Sequence, residues 1–251
     1  PDLVDVEPRL EDYEFRWLLG VGTYGRVYWV VERATGLSFA MKIIRKADVI
    51  KFGLKDHLSH ELAISQLPID CPFINNAATV FESAEYHFLV SALVEGGELY
   101  HVIRRAGKMT EDQARFYAAE ILVALKELHS HKILYRDLKP ENVLIDSNGH
   151  ISLVDFGLSK SRFGAQDTTK TFCGTAEYLA PEMLRGLPYG LPVDLWGLGC
   201  LIYELIEGSP PFYHQCDQQR DNRIVNHQPV FPVSMSEPLK ELLEGLLRKD
   251  P

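Results

Sequence analysis

Cysteine is scarce in this chain, with four in 251 residues: Cys71, Cys173, Cys200 and Cys216. They are far apart and form no Cys-x-x-Cys pair. A disulfide scaffold or a zinc site is therefore disfavoured, and a reducing compartment, cytoplasmic or nuclear, is expected. Long apolar runs are missing as well: none approaches the ~20 residues of a membrane span, and no signal peptide precedes the fold, so no membrane span is expected. Basic residues are outnumbered, 26 Lys+Arg against 35 Asp+Glu, for a net charge of −9. A nucleic-acid coat needs a basic face, so no nucleic-acid partner is expected. There is no internal repeat and no low-complexity tract, and Pro1 in place of Met is expected of an excised fragment. What remains is a chain that is 46% apolar, enough for a sizeable core.

Residues 1–14 read as a solvated acidic leader, since Asp2, Asp5, Glu7, Glu11, Asp12 and Glu14 face a single Arg9 and supply −5 of the total charge. Strands are expected at 15–20, 26–32 and 37–44, the last after the turn signal Ala34-Thr35-Gly36. A helix is expected over 55–67, and strands over 77–82 and 87–94. Glu95-Gly96-Gly97 breaks this pattern. Beyond it, Thr110-Glu111-Asp112-Gln113 is a capping-box signature that opens a helix to about residue 131. In that helix Phe116, Ala119, Val123 and Lys126 step at three- and four-residue spacing beside Ile121, Leu125 and Leu128. Residues 193–207 are apolar nearly all round, the mark of a helix buried in a large domain, and 239–247 form a last amphipathic helix. The organisation is a small β-rich lobe (15–94), a hinge near 94–97 and a larger α-rich lobe (95–251).

Gly20-Val21-Gly22-Thr23-Tyr24-Gly25 fits Gly-x-Gly-x-x-Gly. Alone the match is weak, because a dinucleotide-binding turn has the same spacing. That turn leads into a helix and places an acid ~20 residues later. Here the glycines lead into the strand-like Arg26-Val27-Tyr28-Trp29-Val30-Val31, and Lys42 follows seventeen residues after Gly25. A glycine hairpin lets backbone amides approach phosphates, and a strand-borne ammonium reaches the same phosphates.

The strongest block is Tyr135-Arg136-Asp137-Leu138-Lys139-Pro140-Glu141-Asn142, followed by Asp155-Phe156-Gly157 and Ala180-Pro181-Glu182. Any one Asp or Asn here could be a turn residue or a cap. In this order and at these separations, the sequence resembles a eukaryotic protein kinase catalytic domain over 15–251. The resemblance implies an α+β bilobal fold, with a small five-stranded β lobe carrying one helix and a larger, mainly α lobe. It also implies ATP and Mg²⁺. Asp137 would accept a hydrogen bond from the substrate hydroxyl, Lys139 would neutralise the moving phosphoryl group, and Asn142 and Asp155 would offer oxygens to Mg²⁺. Glu61, in the first expected helix, would hold Lys42; read alone it is one more helix charge. The glycine loop (Gly20, Val21, Gly22, Thr23, Tyr24, Gly25) would cover the phosphates. Val27, Ala40, Leu99 and Leu144 would sandwich the adenine, Ser91 would be the gatekeeper before hinge residues Ala92, Leu93 and Val94, and Glu98 would take the ribose.

Tyr135 before Arg136-Asp137, and Thr171-Phe172-Cys173-Gly174-Thr175, resemble the AGC group of serine/threonine kinases, with the flavour of protein kinase B and the ribosomal-protein and stress-activated kinases. The resemblance makes Thr171 an activation-loop phosphosite for an upstream kinase, with Arg136, Lys160 and His57 as the phosphate's partners. Thr175 would bond Lys139 and Asp137. Glu98, Glu141 and Glu204 would read arginines at positions −3 and −2 of a protein substrate, since carboxylates pair bidentately with guanidinium. The chief alternative is a pseudokinase or scaffold that binds without turnover. The chain departs from the pattern at Ser65, Ala77 and Ser91, where larger apolar residues are usual, so a roomy and more polar pocket behind the nucleotide is expected. Glu182 is expected to lack the arginine that usually pairs with it, because the sequence ends first.

Overall fold

The computed structural model describes residues 8–22 and 25–250. Thr23 and Tyr24 of the glycine loop, and residues 1–7 of the acidic leader, lie outside the described residues. Strands β1 (Tyr13–Gly22), β2 (Gly25–Glu32), β3 (Ser38–Arg45), β4 (Thr79–Glu82) and β5 (Tyr86–Ala92) form one antiparallel sheet in the order β1-β2-β3-β5-β4. The sheet starts earlier than the sequence suggests. Tyr13 is buried against Phe39 and Phe81, and the Arg33 N–H donates to the Asp12 carbonyl at 2.8 Å. The end of the acidic segment is thus part of the sheet, because one apolar ring at Tyr13 outweighs the charges on either side of it.

Two helices accompany the sheet rather than one: α1 (Lys46–Lys51) and α2 (Lys55–Ser65). The first is a turn and a half, anchored by buried Val49 and stopped at Gly53, whose φ of +67° suits glycine. Gly25 is required for a different reason. A Cβ there would sit 2.4 Å from the Ile43 carbonyl oxygen, so only glycine lets β2 turn this close to β3.

After the hinge come α3 (Leu99–Ala106) and α4 (Glu111–Ser130), then the two-stranded β6 (Val143–Ile145) and β7 (Ile151–Leu153). The remaining helices are α5 (Pro181–Leu184), α6 (Pro192–Glu207), α7 (Asp217–Asn226) and α8 (Glu237–Leu246). The capping box forms as its chemistry requires: the Gln113 N–H donates to Thr110 Oγ1 at 3.3 Å, and the Thr110 N–H donates to Gln113 Oε1 at 3.0 Å. In α4 the buried face is Ile121, Leu125 and Leu128, whereas Phe116 and Val123 are exposed. Of the two interleaved spacings, the i, i+4, i+7 run through the aliphatics is the core stripe.

The centre of the larger lobe is α6. Leu198, Leu201, Ile202 and Leu205 pack with α4, while Trp196 and Cys200 face a second cluster with Phe163, Leu179 and Phe212. A helix contacting core on both sides must be apolar all round, as its sequence is. Each Leu or Ile so buried contributes about 1.5–3 kcal/mol. No helix among the described residues is long and apolar enough to cross a membrane.

Candidate active site

Lys42 lies mid-strand on β3, opposite Val27 of β2, so the strand itself aims it under the glycine hairpin. Its Nζ donates to Glu61 Oε1 at 2.6 Å and to Asp155 Oδ1 at 2.8 Å. Burial alone would lower the Lys42 pKa, but the two carboxylates outweigh it and hold the ammonium above its ordinary range. Burial likewise opposes ionisation of Asp155, and Lys42 overcomes it, leaving that carboxyl below the usual range. Strand, helix and loop therefore meet at one charged triad.

Asp137 is buried at the second centre. Asn142 Nδ2 donates to the Asp137 carbonyl at 2.8 Å and to its Oδ2 at 2.9 Å. Lys139 Nζ lies 3.0 Å from the same Oδ2 and donates to Thr175 Oγ1 at 2.9 Å, while the Thr175 hydroxyl donates to Asp137 Oδ1 at 3.0 Å. Oδ2 is thus filled by Asn142 and Lys139, while Oδ1 accepts from Thr175 alone and keeps a lone pair for an incoming hydroxyl.

The backbone here is held in uncommon conformations: Arg136 has φ +71° and Asp155 φ +58°. Such residues cost about 1–3 kcal/mol each and persist only where their surroundings fix them. What fixes Arg136 is Asp194 on α6. Its side chain, 0% exposed, accepts from the Tyr135 N–H at 3.0 Å, the Arg136 N–H at 2.7 Å and His129 Nε2 at 2.8 Å. Tyr135 donates its hydroxyl to the Val154 carbonyl and packs edge-on to Phe156, their centroids 5.7 Å apart.

Of the expected adenine residues, Val27, Ala40 and Leu144 are partly exposed, whereas Leu99 is a correction: at the start of α3 it is fully buried in the core of the larger lobe, where an adenine does not reach it. Ala40 pairs with Ser91 across β3 and β5, Gly20 pairs with Val27, and Leu144 on β6 bridges to Glu98. Hinge residues Ala92 and Val94 connect the two sides. The hinge is laced to β6: the Gly96 N–H donates to the Ile145 carbonyl and the Ile145 N–H to the Gly97 carbonyl, each at 2.8 Å. A Cβ at Gly96 would lie 2.3 Å from the Ile145 oxygen, which explains the glycine there. Gly22 pairs with Gly25 at the hairpin end, with Val21 exposed beside it.

Beside Tyr135 and Phe156, where a polar hollow is expected, the packing is apolar. Ile64, one position before Ser65, is fully buried in the cluster that holds Tyr135 and Phe156, and Leu67, Ile69 and Ile74 pack against it. Ser65 turns its hydroxyl to the Leu62 carbonyl at 2.8 Å, and Ala77 packs with Ile44, Leu58 and Leu89. The phase of α2 thus presents Ile64 rather than Ser65. Glu182 is buried, makes no ion pair among the described residues, and has its pKa raised chiefly by burial.

Of the cations expected around Thr171, Arg136 and Lys160 lie near it but hold other groups, and His57 is placed at Gly157. Arg136 Nε donates to the Leu158 carbonyl at 2.6 Å and its Nη1 lies 3.4 Å from the Tyr189 hydroxyl, which in turn donates to the Thr171 carbonyl. Lys160 Nζ donates to Thr169 Oγ1 at 3.2 Å, itself 3.3 Å from Thr171 Oγ1. His57 Nδ1 lies 3.2 Å from the Gly157 carbonyl oxygen. Thr171 is exposed.

Sequence reasoning missed His60 and Tyr189. The His60 Nδ1 accepts from the Ser161 N–H at 3.3 Å and lies 2.9 Å from its Oγ, joining α2 to the loop after Asp155. Burial first, then Arg136 and Lys160, push the His60 pKa down. A group with a lowered histidine pKa favours the fold while neutral. Its contribution is present above the unfolded value of ~6.5 and is lost as pH falls through the folded value. Thermal melts of wild type and His60→Asn at pH 7.5 and 5.5 should therefore show wild type losing more stability on acidification; equal losses would contradict this.

Of the three arginine-reading candidates, Glu204 and Glu141 come together. Glu204 is buried and accepts from the Tyr178 hydroxyl; burial raises its pKa, with Glu141 and Glu177 adding to the rise. Glu177, which the sequence reading did not single out, acts on Glu204 in the same direction as Glu141, while Arg104 opposes them. Glu98 stands apart at the N-terminal end of α3, where its side chain makes no capping bond, with His101 Nε2 at 3.7 Å.

A lysine–carboxylate triad beside an oriented aspartate is the arrangement that the kinase resemblance implies. The chain belongs to the protein kinase family, whose Protein kinase domain matches residues 13–251. It is 43% identical over 244 residues to the RAC-beta serine/threonine-protein kinase B of Xenopus laevis, covering 96% of this chain and 50% of that one. It is 42% identical to the serine/threonine-protein kinase YPK1 of Saccharomyces cerevisiae, covering 96% of this chain and 35% of that one. Protein kinase 2 of Dictyostelium discoideum is 43% identical, at 96% and 50% coverage. The chain thus spans half or less of the length of these relatives, which are of the kind that the AGC-group resemblance implies.

Proposed function

We propose that this chain is the catalytic domain of a serine/threonine protein kinase that transfers the γ-phosphate of ATP to hydroxyls preceded by arginines. The observation that carries this reading is the closed network of Asp137, Lys139, Asn142 and Thr175. It orients a carboxylate towards a hydroxyl and sets an ammonium beside the path of the phosphoryl group. Phosphoryl transfer asks mainly for such positioning and charge neutralisation.

The donor set also suits Mg²⁺. Asn142 commits its Nδ2 to Asp137 and keeps its Oδ1, while Asp155 gives Oδ1 to Lys42 and keeps Oδ2. Two hard oxygens, completed by phosphates and water, are what this ion takes from a protein. When bound, Mg²⁺ supplies charge neutralisation on the phosphates. The chain's own residues do the rest: Lys42 holds the ATP phosphates, Asp137 accepts the substrate hydroxyl's hydrogen bond, and Lys139 offsets the developing charge.

Glu141, Glu204 and Glu98 support a substrate with arginines at −2 and −3. Thr171 is the proposed site of an upstream kinase. A phosphate there would carry nearly two negative charges and draw Arg136, Lys160 and His57 from the groups they now hold, coupling α2 to the loop at Asp137. A degenerate Ser/Thr peptide array tests the specificity. Arginine should be selected at both positions, Glu204→Gln should weaken selection at −2 alone, and phosphorylation of Thr171 should raise turnover on the order of tenfold. An array with no arginine preference overturns the substrate reading.

A further inference from the structure

The segment between α2 and β4 carries Asn75 and Asn76, which the chemistry above leaves unused. Asn76 Nδ2 donates to the Ile64 carbonyl in the last turn of α2 at 2.8 Å, and its Oδ1 accepts from the Ala77 N–H at 2.9 Å. Asn75 Nδ2 donates to the Ala92 carbonyl at the end of β5 at 2.9 Å, and its own N–H donates to the Leu153 carbonyl of β7, also at 2.9 Å. Two consecutive residues thus hold three elements, each leading to part of the site. Glu61 lies on α2 three residues before Ile64, the hinge begins at Ala92, and Asp155 lies two residues after Leu153.

The Ile64 carbonyl already accepts from the Leu67 N–H at 3.0 Å. The Asn76 bond is therefore not the rescue of an orphaned helix carbonyl. It uses the second lone pair to tie the helix end to the following strand. The tie stands beside two short side chains, Ser65, which folds back on its own helix, and Ala77, so a directed hydrogen bond adds to the apolar contacts of Ile64.

We propose that Asn76, backed by Asn75, is a positioning residue that locks α2 against the hinge strand and β7, so that Glu61 keeps Lys42 on Asp155. The inference rests on the phosphotransfer reading of the site. Asn76→Asp tests it, because it keeps the side chain's size and the acceptor for Ala77 but places a carboxylate oxygen against the Ile64 oxygen. Turnover should fall about tenfold with the peptide KM within about twofold of wild type. In a Glu61→Gln background the same change should cost less than about twofold, because the two residues act through one interaction. A wild-type turnover number in Asn76→Asp, or an undiminished tenfold loss in the Glu61→Gln background, overturns the proposal. Amide hydrogen exchange of α2 reports the tether without turnover. Exchange about tenfold faster across the end of α2 supports it, and unchanged exchange overturns it. If wild type transfers no phosphate while Asn76→Asp still exchanges faster than wild type across the end of α2, the kinase reading is refuted and the tether stands. Asn76→Ala, which removes the donor to the Ile64 carbonyl without adding a charge, takes the place of the aspartate variant in every measurement if the latter does not fold.

Discussion

Asp155→Asn should abolish phosphoryl transfer, with turnover at least about a thousandfold below wild type, while the protein stays folded. Asp155 is the meeting point of the two halves of the site. Its Oδ1 takes the Lys42 ammonium at 2.8 Å, and its other oxygen remains for the metal. An amide of the same shape can still accept one hydrogen bond from Lys42, so the core around Phe156 is undisturbed. The charge is lost, and with it the means of neutralising phosphate oxygens. Because Lys42 holds the Asp155 pKa down, wild type keeps this carboxylate ionised at pH 6 as at pH 8, so the deficit should be as deep at either pH. Radiolabel transfer from ATP to an Arg-Arg-x-Ser peptide, alongside a thermal melt, checks both halves of the claim. Activity within tenfold of wild type would contradict it.

Asp194→Ala has the largest expected effect on stability, a loss of about 3–5 kcal/mol. The carboxylate is sealed from solvent and accepts from two backbone N–H groups and one imidazole. Deleting it strands donors that water does not reach, at about 1–3 kcal/mol each. It also releases Arg136 from φ +71°, and with it the loop that presents Asp137. Urea unfolding should show the loss in stability, and transfer assays a fall in turnover under conditions where the variant is still folded. Asp194→Asn, which keeps one acceptor, should lose less. A loss below about 1 kcal/mol in the alanine variant would mean that other contacts hold the loop.

Much of this site was legible in the sequence because its chemistry is bound to local order. Asp137, Lys139 and Asn142 lie within one turn of chain, and Lys42 follows its glycines on the next strand. The capping box at Thr110 and the all-round apolarity of α6 also report local facts that packing could only satisfy one way. Short elements were not legible. The sequence pattern of α1, α3, β6 and β7 is too brief for a period to show, and their stability comes from the surfaces they rest on. His60 and Ser161 meet across 101 positions, and no spacing rule reaches so far. The Ser65 expectation failed for a finer reason. Counting four residues from Glu61 is a statement about a helix face, and the face is set by how α2 lies on the core. Its burial of Ile64 instead is a property of the docked helix, and Leu67 and Ile69, between α2 and Phe73, complete the packing.

The central claim, that this arrangement performs transfer rather than mere binding, is tested most directly by one measurement. The chain, phosphorylated on Thr171, is incubated with Mg·ATP and an Arg-Arg-x-Ser peptide, and phosphate on the serine is counted against Asp155→Asn. Multiple turnovers in wild type and none in the variant are predicted. Saturable nucleotide binding with no phosphate on the peptide would contradict the account and identify the domain as a binding scaffold.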